Sequence, residues 1–446
     1  MFFRKFLMII AVVAMGLEGA WYWPFGDSKP KPSPPPSSPA RGSRFIPTSQ
    51  RSFDKVYPRA PLENEGVSVK KIKELADAGN ANAQLTLGKI YFDGLVGEKQ
   101  SYRKALKYFV KAAKNGSPEA MYNIGICYDG GFGVRKPDVG QAVAWYRKAA
   151  DAGVPEAQYK SAVWAEAHGE PESAFKYYKM LADGGDLECM NQVAIFMLNG
   201  FGTPADPEGA VKYLRQSAQQ SNVRAMIRLA DCYQQGLGVP RDYQEMAKWL
   251  ELAAVEGDPE AQAKLGRCYQ EGWGVVANDE NAFKWYRISA EGKYPGGQCM
   301  LGHCYRDGIG TAPNAVLAFE NYLAAAEQGD GAAQLEVGEC YRLGRGVKID
   351  DDAARKWLAK AADENGIAVA QARLGMLLAE EGQSSEAEAR LAKALSSADP
   401  LAKIQAALCY INGAEPIRDR ERGLEILRDL NAAGDADARA ILEIYE

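Results

Sequence analysis

From Ala261 to Gly292 the chain reads AQAKLGRCYQEGWGVVANDENAFKWYRISAEG, with small and apolar residues at fixed intervals among charged ones. With Ala261 as position 0, the marked residues are Ala261 (0), Leu265 (4), Gly266 (5), Cys268 (7) and Tyr269 (8). At about 100° per residue, positions 0, 4, 7 and 8 share one apolar stripe of a helix. Gly266 lies beside the stripe. A glycine inside a helix costs about 1 kcal/mol relative to alanine, so its expected use is to admit a neighbouring helix at close range. Gly272 and Gly274 stop the helix, because glycine accepts φ > 0 at a C-cap and in the turn that follows. Ala282, Trp285, Tyr286 and Ser289-Ala290 then form the stripe of a second helix that ends at Gly292. The unit is two short antiparallel helices.

Near-copies lie on both sides: AMIRLADCYQQGLGV from Ala225 and AQLEVGECYRLGRGV from Ala333. Tyr91, Tyr128, Tyr233, Tyr269, Tyr305, Tyr341 and Tyr410 align, with a step of 36 residues from Tyr233 to Tyr341. A fixed period of this length predicts a solenoid of stacked helix pairs. Full repeats open near Ala83, Ala120, Ala157, Cys189, Ala225, Ala261, Gly297, Ala333, Ala370 and Ala402. The third lacks the G-x-G loop and the ninth the aromatic pair, and both are about four residues short, so the deletion falls between their helices. Val67 to about residue 80 reads as a half-repeat cap, and 437–446 as a C-terminal cap. Length alone suggests about three domains; the repeats argue for one elongated domain over 67–446.

The pattern A-x-x-x-L-G-x-x-Y-x-x-G-x-G-V followed by A-x-x-W-Y-x-x-A-A-x-x-G resembles the Sel-one-like repeat (SLR), a cousin of the tetratricopeptide repeat, over roughly 81–436. The resemblance implies an all-α, α/α superhelical solenoid and adaptor roles in signalling and assembly, with no shared reaction. Cysteine-rich relatives bridge the two helices of a repeat through a second cysteine, and some have been linked to β-lactam or peptidoglycan binding.

Ahead of the repeats, Arg4 and Lys5 precede an uncharged apolar core from Phe6 to Leu17. Its 12 residues suit a secretory signal better than a spanning helix of about 20. Ala14-Met15-Gly16 offers a cleavage site, whereas Gly19 to Trp23 would extend the segment into an uncleaved anchor with an interfacial aromatic belt. Both readings of 1–25 export the repeats, to the periplasm, the exterior or the outer face of the inner membrane. Residues 26–66, rich in Pro and Ser, read as a disordered linker. The linker is also basic, which leaves a plain spacer and a tether touching membrane or cell wall as alternatives.

Cys127, Cys232, Cys268, Cys304, Cys340 and Cys409 all sit at position 7, a core slot filled elsewhere by Ile90, Trp164, Phe196 and Leu377. Equivalent residues in adjacent repeats are about 8–10 Å apart, beyond the ~7 Å reach of a disulfide. Buried free thiols are expected. The G-x-G pairs have neither the preceding strand nor the further glycine or Lys-Ser/Thr of a phosphate loop. His168 and His303 have no zinc-ligand spacing around them, and no nucleophile elbow is present. No catalytic, metal or cofactor site is expected. A net charge of −5 and a pI near 5.5 argue against nucleic acid.

Positions 3, 6 and 9 of the first helix face away from the stripe and vary freely. In repeats five to eight they include Arg228, Asp231, Lys264, Arg267, His303, Arg306, Glu336, Glu339 and Arg342, a ladder of alternating charge. Repeats two to four carry Asn123, Ile126, Lys160, Val163, Gln192, Ile195 and Leu198, a more apolar set. An ordinary solvated face and a concave groove for a polypeptide both fit this pattern. The expected function is a monomeric, non-enzymatic, exported scaffold that binds another protein. The alternatives are a periplasmic regulator of a membrane sensor or secretion machine, and a cell-wall enzyme.

Overall fold

The computed structural model describes residues 68–446. The signal segment, the linker and Val67 lie outside them. Every regular element described is helical: 22 α-helices and one short π-helical turn. Two compact units divide the described residues, 68–241 and 242–446.

The first unit holds α1 (Val69–Asp77) and the pairs α2 (Ala81–Asp93)/α3 (Tyr102–Lys114), α4 (Pro118–Gly130)/α5 (Val139–Asp151), α6 (Pro155–Ala167)/α7 (Pro171–Asp183) and α8 (Leu187–Asn199)/α9 (Pro207–Ala218). It closes with α10 (Val223–Gln235). The second unit opens with α11 (Tyr243–Val255). Its pairs are α12 (Pro259–Glu271)/α13 (Asp279–Glu291), α14 (Pro295–Asp307)/α15 (Ala315–Glu327), α16 (Gly331–Leu343)/α17 (Asp351–Ala359), α18 (Ala368–Glu380)/α19 (Ser384–Ser396) and α20 (Pro400–Asn412)/α21 (Arg420–Ala432), with α22 (Ala436–Tyr445) last.

Local chemistry explains these limits. Asp258 caps α12 by accepting the Ala261 N–H at 2.9 Å, and Asn80, Asp186 and Asp330 cap α2, α8 and α16 in the same way. Proline in the first turn of α4, α6, α12, α14 and α20 needs no N–H there. Gly94, Gly131, Gly200, Gly236, Gly272, Gly308 and Gly344 end first helices in the left-handed region, at φ 69–78°.

The two helices of a pair lock through the glycine at position 5. A Cβ on Gly88, Gly125, Gly266, Gly302, Gly338 or Gly375 would stand 2.5–3.0 Å from Phe109, Tyr146, Tyr286, Tyr322, Leu358 or Leu391 of the partner helix. The close approach expected at Gly266 is therefore made by its own second helix. In Trp145-Tyr146 and Trp285-Tyr286 it is the second residue that enters the core. Tyr286 is 0 % exposed, whereas Trp145, Trp249, Trp285 and Trp357 are only half-buried. A reading in which both rings of the pair fill the core is thus corrected: on a 3.6-residue helix, neighbours point 100° apart and the smaller ring meets the glycine.

Successive repeats are joined at two places. The second glycine of each loop, at φ 61–74°, comes so close to the preceding second helix that a Cβ would strike a backbone carbonyl, Tyr102 O for Gly133 and Tyr243 O for Gly274. A buried glutamine at position 1 then donates to the carbonyl of the preceding second helix: Gln84 to Ala76 O (2.8 Å), Gln158 to Ala150 O (3.2 Å) and Gln262 to Ala254 O (3.2 Å). Asn115 and Asn365, from the far ends of the pairs, donate to the oxygens of Gln84 and Gln334.

Departures from the 36-residue step are absorbed locally. From Ala333 to Ala370 the step is 37, and the extra residue is taken up where α17 widens into the π turn Lys360–Glu364. In the third and ninth repeats the helices are whole and the connections short, with α6 and α7 separated by residues 168–170 alone. There Trp164 fills the position-7 slot, and its ring stacks on His168 at 4.0 Å.

Candidate protein-binding face

The first helices stand side by side. In the second unit α12 packs directly on α14 and α18 on α20, whereas no two successive second helices pack comparably among the described residues. Positions 3, 6 and 9 lie along this side of the first helices, and in both units their side chains bond across repeats. Position 9 of one repeat reaches position 3 of the next. Asp129 meets Lys160 at 3.6 Å, Gln192 donates to Glu166 at 3.3 Å, and Arg306 Nη1 donates to Glu336 at 3.0 Å.

The buried tyrosine of the second helix supplies the third member of these rungs. Its hydroxyl emerges at position 9 and donates to Asp129 (Tyr146, 3.1 Å), Glu166 (Tyr178, 2.7 Å) and Gln270 (Tyr286, 2.8 Å). The core thus fixes the wall from beneath. A phenol buried in a helix pair needs a hydrogen-bond partner, and the residue at the edge of the stripe is the one within reach. Sequence reasoning missed this link, although the signal was there: five second helices carry an aromatic at the core position, and position 9 is polar in the four where that aromatic is tyrosine.

The expected ladder residues fall in different settings. Arg228 is exposed and Asp231 half-buried, both on α10 of the first unit. Lys264 reaches Glu260 at 3.0 Å, and the Arg267 guanidinium lies 4.6 Å from the Trp273 ring centroid. Arg306 holds Asp307 through two hydrogen bonds of 2.9 Å and also holds Glu336. Glu339 takes two hydrogen bonds from Arg342 (3.0 and 2.8 Å), and Arg373 stands 3.9 Å away. The Glu339 side chain is only 13 % exposed. Burial works to raise its pKa, but Arg373 and Arg342 overcome that and hold it at about 2. Arg373, outside the ladder expected in repeats five to eight, occupies position 3 of the ninth repeat.

His303 is a correction. It is 6 % exposed, with Nδ1 2.8 Å from the Tyr322 hydroxyl and Nε2 3.7 Å from Cys299 Sγ. Because position 9 of this repeat is an arginine, Tyr322 finds its partner at position 6 instead and draws the imidazole inward. Burial, with Arg306 nearby, pushes the His303 pKa down to about 3. This histidine is a neutral core group and offers no contact to a partner.

All eight cysteines are buried free thiols, and burial pushes Cys127, Cys268 and Cys409 up to about 12. The described residues contain no group of His, Cys, Asp and Glu that could hold a metal ion, and no helix long and apolar enough to cross a membrane.

This construction, a helix pair seated in most repeats on a position-5 glycine and closed at the first helix by a left-handed glycine, recurs in sequence as the Sel1 repeat, whose family model matches eight times: 81–117, 118–154, 155–186, 187–222, 223–258, 259–294, 295–330 and 331–366. The chain belongs to the Sel1 repeat family. Helices α18 to α21 continue the same pairing beyond the matched Sel1 repeats. Among solved structures the chain is similar to c5321, a protective antigen with an SLR fold from uropathogenic Escherichia coli. The two are 30% identical, the match covers 85% of this chain and 83% of that one, and the TM-score is 0.60. A Sel1 repeat protein from Oxalobacter formigenes is 28% identical over 71% of this chain and 92% of its own, with a TM-score of 0.59. No curated protein matches the sequence. Sel1 solenoids are in general scaffolds for protein–protein interaction.

Proposed function

We propose that this Sel1 repeat chain is an exported scaffold that binds another polypeptide along the concave wall of its first helices. The observation that carries the reading is a contrast between two sets of positions. Side chains at 0, 4, 5 and 7 repeat because each fills the same slot, whereas positions 3, 6 and 9 vary along the chain and in four repeats are held by a core tyrosine. A surface of that kind suits a non-repetitive ligand. The first unit offers half-buried Ile126, Val163, Ile195 and Leu198 at these positions, and the second unit offers charge at its own. Aromatic and arginine anchors tend to carry most of the energy of such contacts. Export is supported by the signal-like segment at Phe6–Leu17 and by the similarity to a protective antigen.

The test is capture of partners from the native envelope by the full chain and by two double variants. Lys264→Ala with Arg267→Ala is expected to lose the partner with unchanged helicity, while Lys248→Ala with Lys284→Ala, on exposed second-helix positions, retains it. Arg306 is left intact because it holds Glu336 and Asp307, so its removal would confuse binding with stability. Equal capture by both variants would leave the first-helix wall a solvated surface. N-terminal sequencing of the mature protein distinguishes a cleaved signal from an anchor, and recovery in the cytoplasm would remove the export reading.

A further inference from the structure

Charge is distributed unevenly along this chain. Residues 68–114 hold ten Lys and Arg against four Asp and Glu, whereas 242–446 hold 22 against 35. The basic excess is concentrated on α3, YRKALKYFVKAAK, which has five basic residues and no acidic one. Its apolar face, Ala105, Phe109, Ala112 and Ala113, is buried in the repeat. At 100° per residue Arg103, Lys107 and Lys114 fall within about 40° of one another on the opposite side, with Lys104 and Lys111 adjoining. Arg103, Lys104, Lys107 and Lys114 are exposed. The loop carrying exposed Arg135 and Lys136 is pinned to the start of this helix, because Gly133 abuts the Tyr102 carbonyl and Phe132 packs on the Tyr102 ring at 4.8 Å. Exposed Lys70 and Lys71 stand on α1, whose Lys73 bonds Glu98 in the chain leading into α3.

Fold stability does not explain this arrangement. Arg103 and Lys104 occupy the first turn of α3, where the helix dipole disfavours cations. Ser101 makes no side-chain cap bond. The second helices of the other full repeats begin with a capping Asp or Asn, or with an acidic residue in the first turn. Arg103, Lys107, Lys114, Arg135 and Lys136 pair with no carboxylate among the described residues. Lys104 and Lys111 lie over the Tyr91 and Tyr108 rings, which leaves Arg103, Lys107 and Lys114 as the cations of this helix without a carboxylate partner.

We propose that the outward face of α3, with the Arg135-Lys136 loop beside it, docks on the anionic headgroups of a phospholipid bilayer. Two observations choose a bilayer over other polyanions. The patch presents exposed cations of α3 and of the adjoining loop of the next repeat side by side, the arrangement that an extended anionic surface engages. It also follows directly on a sequence whose apolar segment reads as membrane-directed and whose linker is itself basic, and the choice of occupant rests on that export reading. An anionic plane attracts this repeat and repels the acidic residues 242–446. Juxtamembrane basic clusters act in this way, each Lys or Arg adding to the attraction within a Debye length of the surface.

The experiment is flotation of the full chain with vesicles of phosphatidylglycerol and phosphatidylcholine, and with phosphatidylcholine alone. Binding to the neutral vesicles reports the apolar segment, and the excess on anionic vesicles reports the patch, so failure of one is separable from failure of the other. Expected are an excess that vanishes in high salt and its reduction by about tenfold or more in the Arg103→Gln, Lys104→Gln, Lys107→Gln, Lys114→Gln variant, with thermal melting unchanged or raised. Amine labelling should show Lys104, Lys107 and Lys114 protected on anionic vesicles while Lys284 stays reactive. Equal binding to both vesicle types, or an excess unchanged in the variant, overturns the proposal. So does tighter binding of the same face to duplex DNA or polyglutamate, which would place the partner in that class.

Discussion

At the scale of single residues, what a side chain does here depends on which of two neighbouring positions it occupies. Trp285 and Tyr286 are adjacent, yet only the tyrosine is sealed against Gly266, with its hydroxyl on Gln270. Tyr286→Ala removes a fully buried ring and is expected to cost about 3–5 kcal/mol in a chemical melt, and Trp285→Ala roughly half that. Equal losses would show that the pair shares the core after all. Glu339 provides a second test. Its folded pKa lies near 2, below the ordinary 4.5, so its contribution is present above about pH 4.5 and is lost as pH falls from there to about 2. Relative to Glu339→Gln, the wild-type chain should lose on the order of 2–3 kcal/mol across that window. Parallel pH profiles would mean that Arg342 and Arg373 do not hold the carboxylate.

At the scale of elements, the loop between the two helices does more than turn the chain. Its first glycine ends the first helix, and the second lets the loop reach the preceding repeat. Gly274 and Gly257 both have φ > 0, at 70° and 93°, but a Cβ on Gly257 meets nothing within 4 Å, whereas one on Gly274 meets the Tyr243 carbonyl. Gly257→Ala should therefore cost only the left-handed backbone penalty, about 1–2 kcal/mol. Gly274→Ala should cost measurably more and loosen the contact of its repeat with α11. Equal melting of the two variants would reduce the second glycine to a turn residue. The position-1 glutamine works alongside this loop: Gln262 closes on Ala254 O in a site where an unpaired carbonyl would be expensive.

At the scale of the molecule, eight thiols in a chain read as exported raise the question of oxidation. Each is buried in a separate repeat, apart from Cys299 and Cys304 on α14. A thiol reagent is expected to label few of the eight in the folded protein and all of them in denaturant without reductant. Recovery of fewer than two under denaturing conditions would show disulfides and displace position 7 from the core.

The sequence by itself determined the helix pair, its period, the stripe and the glycine stops, because these rest on local chemistry: 3.6 residues per turn, N-caps, and backbone angles open only to glycine. It also placed the cysteines, since six of them share one position of a repeating pattern. Only the tertiary structure decided which ring of Trp285-Tyr286 turns inward, that His303 is drawn beneath the wall by Tyr322, and that Arg306 and Glu339 are already held by partners 30 to 34 residues away. Those outcomes depend on distances between helices, and a period along the chain carries no record of them. The same holds for the basic face of α3. Its lysines are plain in the sequence, but the burial of its other side and the loop pinned against its first turn arise only when one repeat is packed on the next.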